Sequence, residues 1–200
     1  MTDDWNDYAE GWDDNSDVRR YASRAFTTLD DHLNLCGKDW QSKRVLDFGC
    51  GTGLLTENIA PHVEEVVAVD TSENMIAVLQ QKQLQNVRAA HGDILAGDVP
   101  ELENAFSGFD LICASSVCAF LPDYSGAVAV LAGLLNKGGH FVQWDWQASD
   151  DDGFGLTLNQ MKAALEAARL GSIRVERIFE FKSDEQGMPV LIGAGVRNTE

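Results

Sequence analysis

Three glycines on alternate positions, Gly49, Gly51 and Gly53, follow the apolar run Val45-Leu46-Asp47-Phe48, in which an acid is embedded. Glycine lacks the Cβ that would hold a ligand away from the main chain. A helix-compatible pattern begins at Leu54, and a helix start has unpaired backbone N–H groups. Such a stretch suits recognition of a polar small molecule against bare backbone. Further acids stand where apolar runs stop. Asp70 follows Val66-Val67-Ala68-Val69, Asp93 follows Gly92, and Asp145 lies between Trp144 and Trp146. An ionised carboxylate can accept from two hydroxyls at once, and in reach of an acceptor it can orient or deprotonate it. Among the histidines, His140 opens an apolar run, His32 falls in a helical stretch and His62 in a connector, so none is expected to act as a base. Cys36, Cys50, Cys113 and Cys118 show neither C-x-x-C nor His-paired spacing, so reduced thiols are expected, with no metal.

The elements that must position these residues alternate. Val18, Tyr21, Ala22, Ala25, Phe26, Leu29 and Leu33 recur at helical spacing, with Asp17 as the expected cap, and an acidic extended or loosely helical arm precedes them. Residues 44–48 are predicted as the first strand, and a short helix ends before Pro61. Residues 63–70 hold the second strand, and a helix capped by Ser72 carries Met75, Val78 and Leu79 inward. Residues 86–91 form a short third strand. A loop over 97–107 leads to a fourth strand, 109–115, and a helix bearing Ala127, Val130, Leu131, Leu134 and Leu135. Lys137-Gly138-Gly139 turns into a fifth strand at His140, and a helix over 157–169 is stopped by Gly171. Residues 173–181 and 190–196 form a hairpin with its tip at 183–187. Alternating strands and helices imply crossover units and a parallel sheet, with the hairpin as an antiparallel edge. The expected class is α/β, Rossmann-like and doubly wound, with seven strands. In open sheets of this kind ligands bind beyond the carboxyl ends of the strands, which selects residues 47–53, 70–71, 92–94, 115–120 and 144–146.

The 200 residues, 44% hydrophobic, suffice for one domain with its own core, and no domain boundary is visible. No apolar run nears the ~20 residues of a membrane span. The N-terminus lacks the apolar stretch of a secretory signal, so a cytoplasmic protein is expected, without a membrane partner. The net charge of −17, concentrated in Asp3, Asp4, Asp7, Glu10, Asp13, Asp14 and Asp17 and again in Asp150–Asp152, repels phosphate backbones and argues against nucleic acid as a partner.

Val45-Leu46-Asp47-Phe48-Gly49-Cys50-Gly51-Thr52-Gly53, Val66-Val67-Ala68-Val69-Asp70-Thr71-Ser72, His91-Gly92-Asp93-Ile94, Phe109-Asp110-Leu111-Ile112 and Leu134-Leu135-Asn136-Lys137-Gly138-Gly139 together resemble the class I S-adenosylmethionine-dependent methyltransferases over residues 40–146. The resemblance implies S-adenosyl-L-methionine as cofactor, S-adenosyl-L-homocysteine as product and a small-molecule methyl acceptor. Asp47, Gly49, Cys50, Gly51 and Gly53 would line the methionine part, and Asp70 would hold both ribose hydroxyls. Thr71 and Met75 would lie near the adenine, Asp93 would accept from its amino group, and the Ile94 N–H would face a ring nitrogen. The backbone at Ala114 and Ser115 would receive the ammonium. His91 would lie near the adenine, away from the transferred methyl.

On the acceptor side, the resemblance makes residues 1–37 an arm and helix acting as a lid, with Trp12 and Tyr21 toward the substrate. Phe120 and Trp146 would wall the acceptor, Tyr124 would pack in a helix, and Asp145 is the candidate catalytic acid or base. Plain alternatives are a helix cap at Asp70, a turn residue at Asp93, core filling by Met75, and a surface acid at Asp145. Ala114-Ser115-Ser116-Val117 stands where nucleic-acid and amide methylating enzymes carry an Asn-Pro-Pro-Tyr run, which favours a small acceptor. A non-catalytic cofactor-binding sensor is the alternative from another class. A nicotinamide-dependent oxidoreductase is disfavoured because Gly51 and Gly53 are two residues apart where its fingerprint needs three.

Overall fold

The computed structural model describes residues 5–99, 107–149, 153–183 and 186–199. The acids Asp3, Asp4 and Asp150–Asp152, the loop around Pro100 and the centre of the 183–187 tip lie outside the described residues. The chain divides into two compact units, residues 1–106 and 107–200.

In the first unit the apolar spacing becomes helix α1 (Ser16–Leu33), which buries Tyr21, Ala22, Ala25 and Leu29. Its cap is Asn15, whose side chain accepts from the Asp17 N–H, rather than Asp17 itself. The expected loose arm before it forms two short 3-10 turns, Trp5–Tyr8 and Trp12–Asp14. Strands β1 (Arg44–Phe48), β2 (Glu65–Asp70) and β3 (Val87–His91) pair in parallel in the order β3-β2-β1. Val45, Leu46, Val66, Val67 and Ala68 are wholly buried, as continuous apolar strands of a parallel sheet require. Helix α2 (Leu54–Ile59) follows the glycines, and α3 (Glu73–Gln81) packs on β2 and β3 with Met75, Ile76 and Leu79 buried. Ser72 caps α3 by accepting from the Met75 N–H at 3.2 Å, as its position before the helix predicts.

In the second unit, β4 (Phe109–Ser115) pairs in parallel with β5 (Leu135–Trp146), and β7 (Gln186–Arg197) pairs antiparallel with both β5 and β6 (Leu170–Ser183). The order is β4-β5-β7-β6. Helix α4 (Tyr124–Leu134) is capped by the Asp123 side chain and buries Ala127, Val128, Leu131 and Ala132, while Val130 faces solvent at 42% exposure. Helix α5 (Leu158–Ala167) packs on β6 and β7 behind a capping box of Thr157 and Gln160.

Two boundaries differ from the sequence reading. β5 begins at Leu135, five residues before His140, and its register with β4 shifts across the intervening residues. Asn136 holds that excursion by donating to the Gly108 carbonyl and the Asp110 carboxylate, both at 3.1 Å. Helix α5 stops before Gly171, because Arg169 takes the left-handed conformation (φ 58°) and its carbonyl receives the Asn198 amide at 2.9 Å. Among the described residues no helix is long and apolar enough to cross a membrane.

Candidate functional site

The glycine turn is fastened by the neighbouring strand. The Gly49 and Cys50 N–H groups both donate to the Val69 carbonyl, at 2.9 and 3.1 Å, and Gly53 N–H donates to Cys50 at 2.9 Å. Gly51 and Gly53 both have positive φ (54° and 82°), but for different surroundings. A Cβ at Gly53 would collide with the Leu79 side chain, so that glycine lets α3 pack closely. A Cβ at Gly51 would meet nothing nearer than the Met75 sulfur at 4.0 Å. The close approach to open space belongs to Gly51.

Asp70, at the carboxyl end of β2, joins this turn to the next. Its Oδ2 accepts from Gly51 N–H and its Oδ1 from Ser72 N–H, both at 2.8 Å. Burial pushes its pKa up, while the Ser72 and Gly51 N–H groups pull it back. Each carboxylate oxygen has a second lone pair, so the clamp keeps acceptor capacity for two more donors. The cap at α3 belongs to Ser72, so Asp70 is not that helix's cap.

Asp47 is enclosed in β1 and accepts the Thr56 hydroxyl at 2.5 Å. Desolvation, countered by Thr56 and reinforced by Asp70, raises its pKa to about 7. The Cys50 thiol is pushed well above its ordinary value by burial and then by Asp47 and Asp70, so at neutral pH it is not a thiolate nucleophile. Met75 is buried at 2% exposure, as a core residue would be, with its sulfur toward Gly51. Thr71 is exposed, and its carbonyl lies 3.2 Å from His91 Nε2. Asp93 is exposed and builds its own turn: Oδ1 accepts from Leu95 and Ala96 N–H at 2.8 and 3.3 Å. Its backbone also pairs with Asp98, and Ile94 beside it is buried.

The arm reaches both loops through residues that sequence reasoning missed. Asn6 Oδ1 accepts from Ser72 Oγ at 2.9 Å and from Asn74 N–H at 3.1 Å. Asp13 accepts the Thr52 hydroxyl at 2.5 Å and pairs with Lys82 at 2.8 Å, and Lys82 also reaches Glu57 at 3.0 Å. One acid among many in an acidic arm carries no signal of its own; only the fold singles out Asp13. Trp12 packs edge-on with Trp5 and Tyr8, ring centroids 6.3 and 6.5 Å apart. Tyr21 lies inside the apolar stripe of α1, only 7% exposed, a core position rather than the expected substrate-facing one.

In the second unit Ala114 is wholly buried and Ser115 half-buried at the end of β4. Ser116 follows with φ 56°, its N–H donating to Trp144 at 2.7 Å and its hydroxyl accepting the Trp146 indole N–H at 3.0 Å. A non-glycine residue in this conformation is strain that surrounding structure must hold, and such residues cluster at functional sites. Phe120, 39% exposed, contacts Phe154, 54% exposed, with ring centroids 5.1 Å apart. Phe154 escaped sequence reasoning because it falls between the fifth strand and the following helix without periodicity.

Asp145 corrects an expectation. It is neither a surface acid nor open to an acceptor, being 0% exposed. Oδ1 accepts from Ala119 N–H at 3.1 Å, and Oδ2 from the Gln143 side chain at 3.2 Å. Burial raises its pKa to about 8 against the opposing effect of those two bonds. A group so enclosed does not touch an acceptor directly. Among the described residues no cluster of His, Cys, Asp and Glu is arranged to hold a metal, and the four cysteines are unbridged.

Residues 46–141 match the sequence family described as a methyltransferase domain. A ubiquinone biosynthesis O-methyltransferase of Alkalilimnicola ehrlichii is 29% identical over 113 residues, 56% of this chain and 45% of that protein. The chain thus spans about half the length of such curated relatives. The crystal structure of the N-methyltransferase NodS from Bradyrhizobium japonicum, in complex with S-adenosyl-L-homocysteine, superposes with a TM-score of 0.68 at 22% identity, covering 99% of this chain and 100% of that one. The YcgJ protein of Bacillus subtilis gives 0.68 at 18% identity, over 87% and 98% of the two chains. These likenesses show the fold: α/β, Rossmann-like, with seven strands, mostly parallel and ending in an antiparallel hairpin. With the motif residues at the strand ends and the family match across the glycine turn, residues 46–141 carry a methyltransferase domain similar to those of the class I S-adenosylmethionine-dependent enzymes.

Proposed function

We propose that this chain binds S-adenosyl-L-methionine and transfers its methyl group to an oxygen or nitrogen atom of a small-molecule acceptor. The observation that carries the reading is the Asp70 clamp. One carboxylate is oriented by backbone N–H groups of the glycine turn and of the α3 start, and retains lone pairs for a vicinal diol. The donor set fits an S-adenosyl group. Gly51 opens to empty space, Met75 offers a polarisable surface beside it, and buried acids stand ready for a cationic ligand. We assign Asp47, Gly49, Cys50, Gly51 and Gly53 to the methionine part and Asp70 to the ribose. Thr71, Met75, the outer oxygen of Asp93 and the Ile94 N–H are assigned to the adenine, and the Ala114 and Ser115 backbone to the ammonium.

The sulfonium, when bound, supplies a methyl already activated for in-line displacement. The protein's part is to hold the acceptor on that line and keep water out, and proximity with orientation can supply ~7–11 kcal/mol for well-aligned partners. Phe120 and Trp146 are the proposed acceptor wall, and Trp12 the proposed cover from the arm over residues 1–37. The family match crosses residues 106 and 107, which supports one methyltransferase domain built from both units. Unbridged cysteines agree with a reducing, cytoplasmic setting, and the net charge of −17 with acceptors other than nucleic acid.

The test is calorimetric titration with S-adenosyl-L-homocysteine beside a screen for radiolabelled methyl transfer into a metabolite library. Binding with transfer to at least one metabolite supports the reading. Tight binding with a silent screen indicates a sensor, and NADH binding without S-adenosyl-L-homocysteine binding overturns the cofactor assignment.

A further inference from the structure

A buried polar chain in the second unit has no place in cofactor binding. Asp145 lies at the carboxyl end of β5 with no solvent exposure, and among the described residues it has no ion-pair partner. One oxygen takes the Ala119 N–H at 3.1 Å, from the 3-10 turn Cys118–Phe120 that follows β4. The other meets the Gln143 amide at 3.2 Å, and Gln143 meets the Tyr124 hydroxyl at 3.0 Å, at the first turn of α4. The chain therefore ties one strand end to the turn bearing Phe120 and to the helix that follows it. Building an acid into this position is costly unless it serves a purpose, since a buried polar network is worth keeping only when every member is satisfied.

We propose that Asp145 is a positioning residue for methyl transfer: through Ala119 it fixes the turn that presents Phe120, and through Gln143 it sets the direction of the Tyr124 hydroxyl. The inference rests on the methyl-transfer reading above. The direction follows from hydrogen-bond bookkeeping. A neutral Asp145 must donate its proton, so Gln143 turns its carbonyl toward Asp145 and its NH2 toward Tyr124, and the phenol O–H is released to donate elsewhere. An ionised Asp145 accepts from the Gln143 NH2, and Tyr124 then spends its proton on the Gln143 carbonyl, which is the amide orientation the structure has. The two states differ by one amide flip and by whether Tyr124 is a free donor. The titratable groups that face Asp145 are the Cys118 thiol and the Tyr124 phenol, and burial raises both, so at neutral pH both stay uncharged. Burial likewise raises the Asp145 pKa to about 8, so the neutral form predominates at pH 7 and the two forms are equal near pH 8.

Asp145→Asn imitates the neutral acid at every pH, since its NH2 donates to Gln143 and its carbonyl accepts from Ala119. Asp145→Leu removes both contacts. With an acceptor found in the screen, wild-type kcat/KM should fall at least fivefold between pH 7 and 9. Asp145→Asn should stay within threefold of the wild type at pH 6.5 and lack that alkaline fall. Asp145→Leu should lose tenfold or more, with a raised acceptor KM and an S-adenosyl-L-homocysteine Kd within twofold of wild type. Tyr124→Phe, a milder change at the half-buried end of the chain, should also flatten the alkaline limb; thermal melts confirm that each variant is folded. An Asp145→Asn profile with the wild-type limb, or Asp145→Leu with wild-type kinetics, overturns the positioning role and leaves the methyl-transfer reading intact. A wild type that binds S-adenosyl-L-homocysteine and methylates nothing overturns both.

Discussion

Replacing Asp70 with Asn tests the centre of the site. The carboxylate has four lone-pair positions, and two are taken by Gly51 and Ser72 N–H groups at 2.8 Å. The remaining two are those assigned to the ribose hydroxyls. Asn keeps one oxygen and turns the other into an NH2, so one backbone N–H loses its acceptor and one ribose hydroxyl meets a donor. A hydrogen bond to a charged group is worth about 1.5–3 kcal/mol, and the bond that survives at the neutral oxygen is weakened as well. The expected loss in binding is about 2–3 kcal/mol, or roughly 30- to 150-fold in Kd. Stability should also fall, by about 1–2 kcal/mol, because a partly buried N–H is left unpaired. The assay is titration calorimetry with S-adenosyl-L-homocysteine alongside a urea melt of the free protein. A Kd within threefold of wild type, in a folded variant, refutes the assignment of Asp70 to the ribose.

Other residues give equally direct outcomes. Asp13→Ala removes the acceptor of the Thr52 hydroxyl and one partner of Lys82, so the arm should detach at a stability cost of about 1–2 kcal/mol, read by urea melts and by proteolysis within residues 5–15; a melt and digestion pattern like wild type would refute the fastening. Phe120→Ala, and Phe154→Ala through the loss of the ring packed on Phe120, should each raise acceptor KM about five- to tenfold while leaving S-adenosyl-L-homocysteine affinity unchanged, a loss of roughly 1–1.4 kcal/mol in the range of aromatic pair contacts; unchanged KM in both would remove Phe120 from the acceptor wall. Asp47 and Asp145 have folded pKa values of about 7 and about 8, above the unfolded carboxyl value of ~3.9. Each therefore stabilises fully below that unfolded value, and the contribution is lost as pH rises through the folded one. Asp145→Asn should accordingly flatten the dependence of unfolding free energy on pH between 5 and 7 by about 1.4 kcal/mol per pH unit, and melts at pH 5, 6 and 7 showing the wild-type slope would refute the buried neutral acid.

Local pattern determined most of the architecture. Valine-rich runs too apolar for a half-exposed strand had to be buried on both faces, and the helical spacing from Val18 to Leu33 had to become one amphipathic helix. The glycine turn, Ser72 as a cap and the acid at the end of β2 were legible because each needs a residue type at a fixed offset, which short-range sterics and hydrogen bonding impose. Boundaries were less so. Arg169 rather than Gly171 ends α5 because Asn198, 29 residues away, stabilises the strained turn from outside the segment. Nor can a linear pattern separate Gly51 from Gly53: one faces open space and the other Leu79, a helix away.

What the sequence by itself determined, then, was the family motif and the backbone shapes that go with it. Tertiary structure alone decided which polar groups met. Asp13 and Asn6 join loops about 40 and 66 residues distant in sequence, and Asp145, the candidate catalytic acid or base of the sequence, becomes an enclosed member of a chain through Gln143 to Tyr124. Burial and the donors that surround a carboxyl set its charge, and both are properties of the packed molecule that no single letter carries.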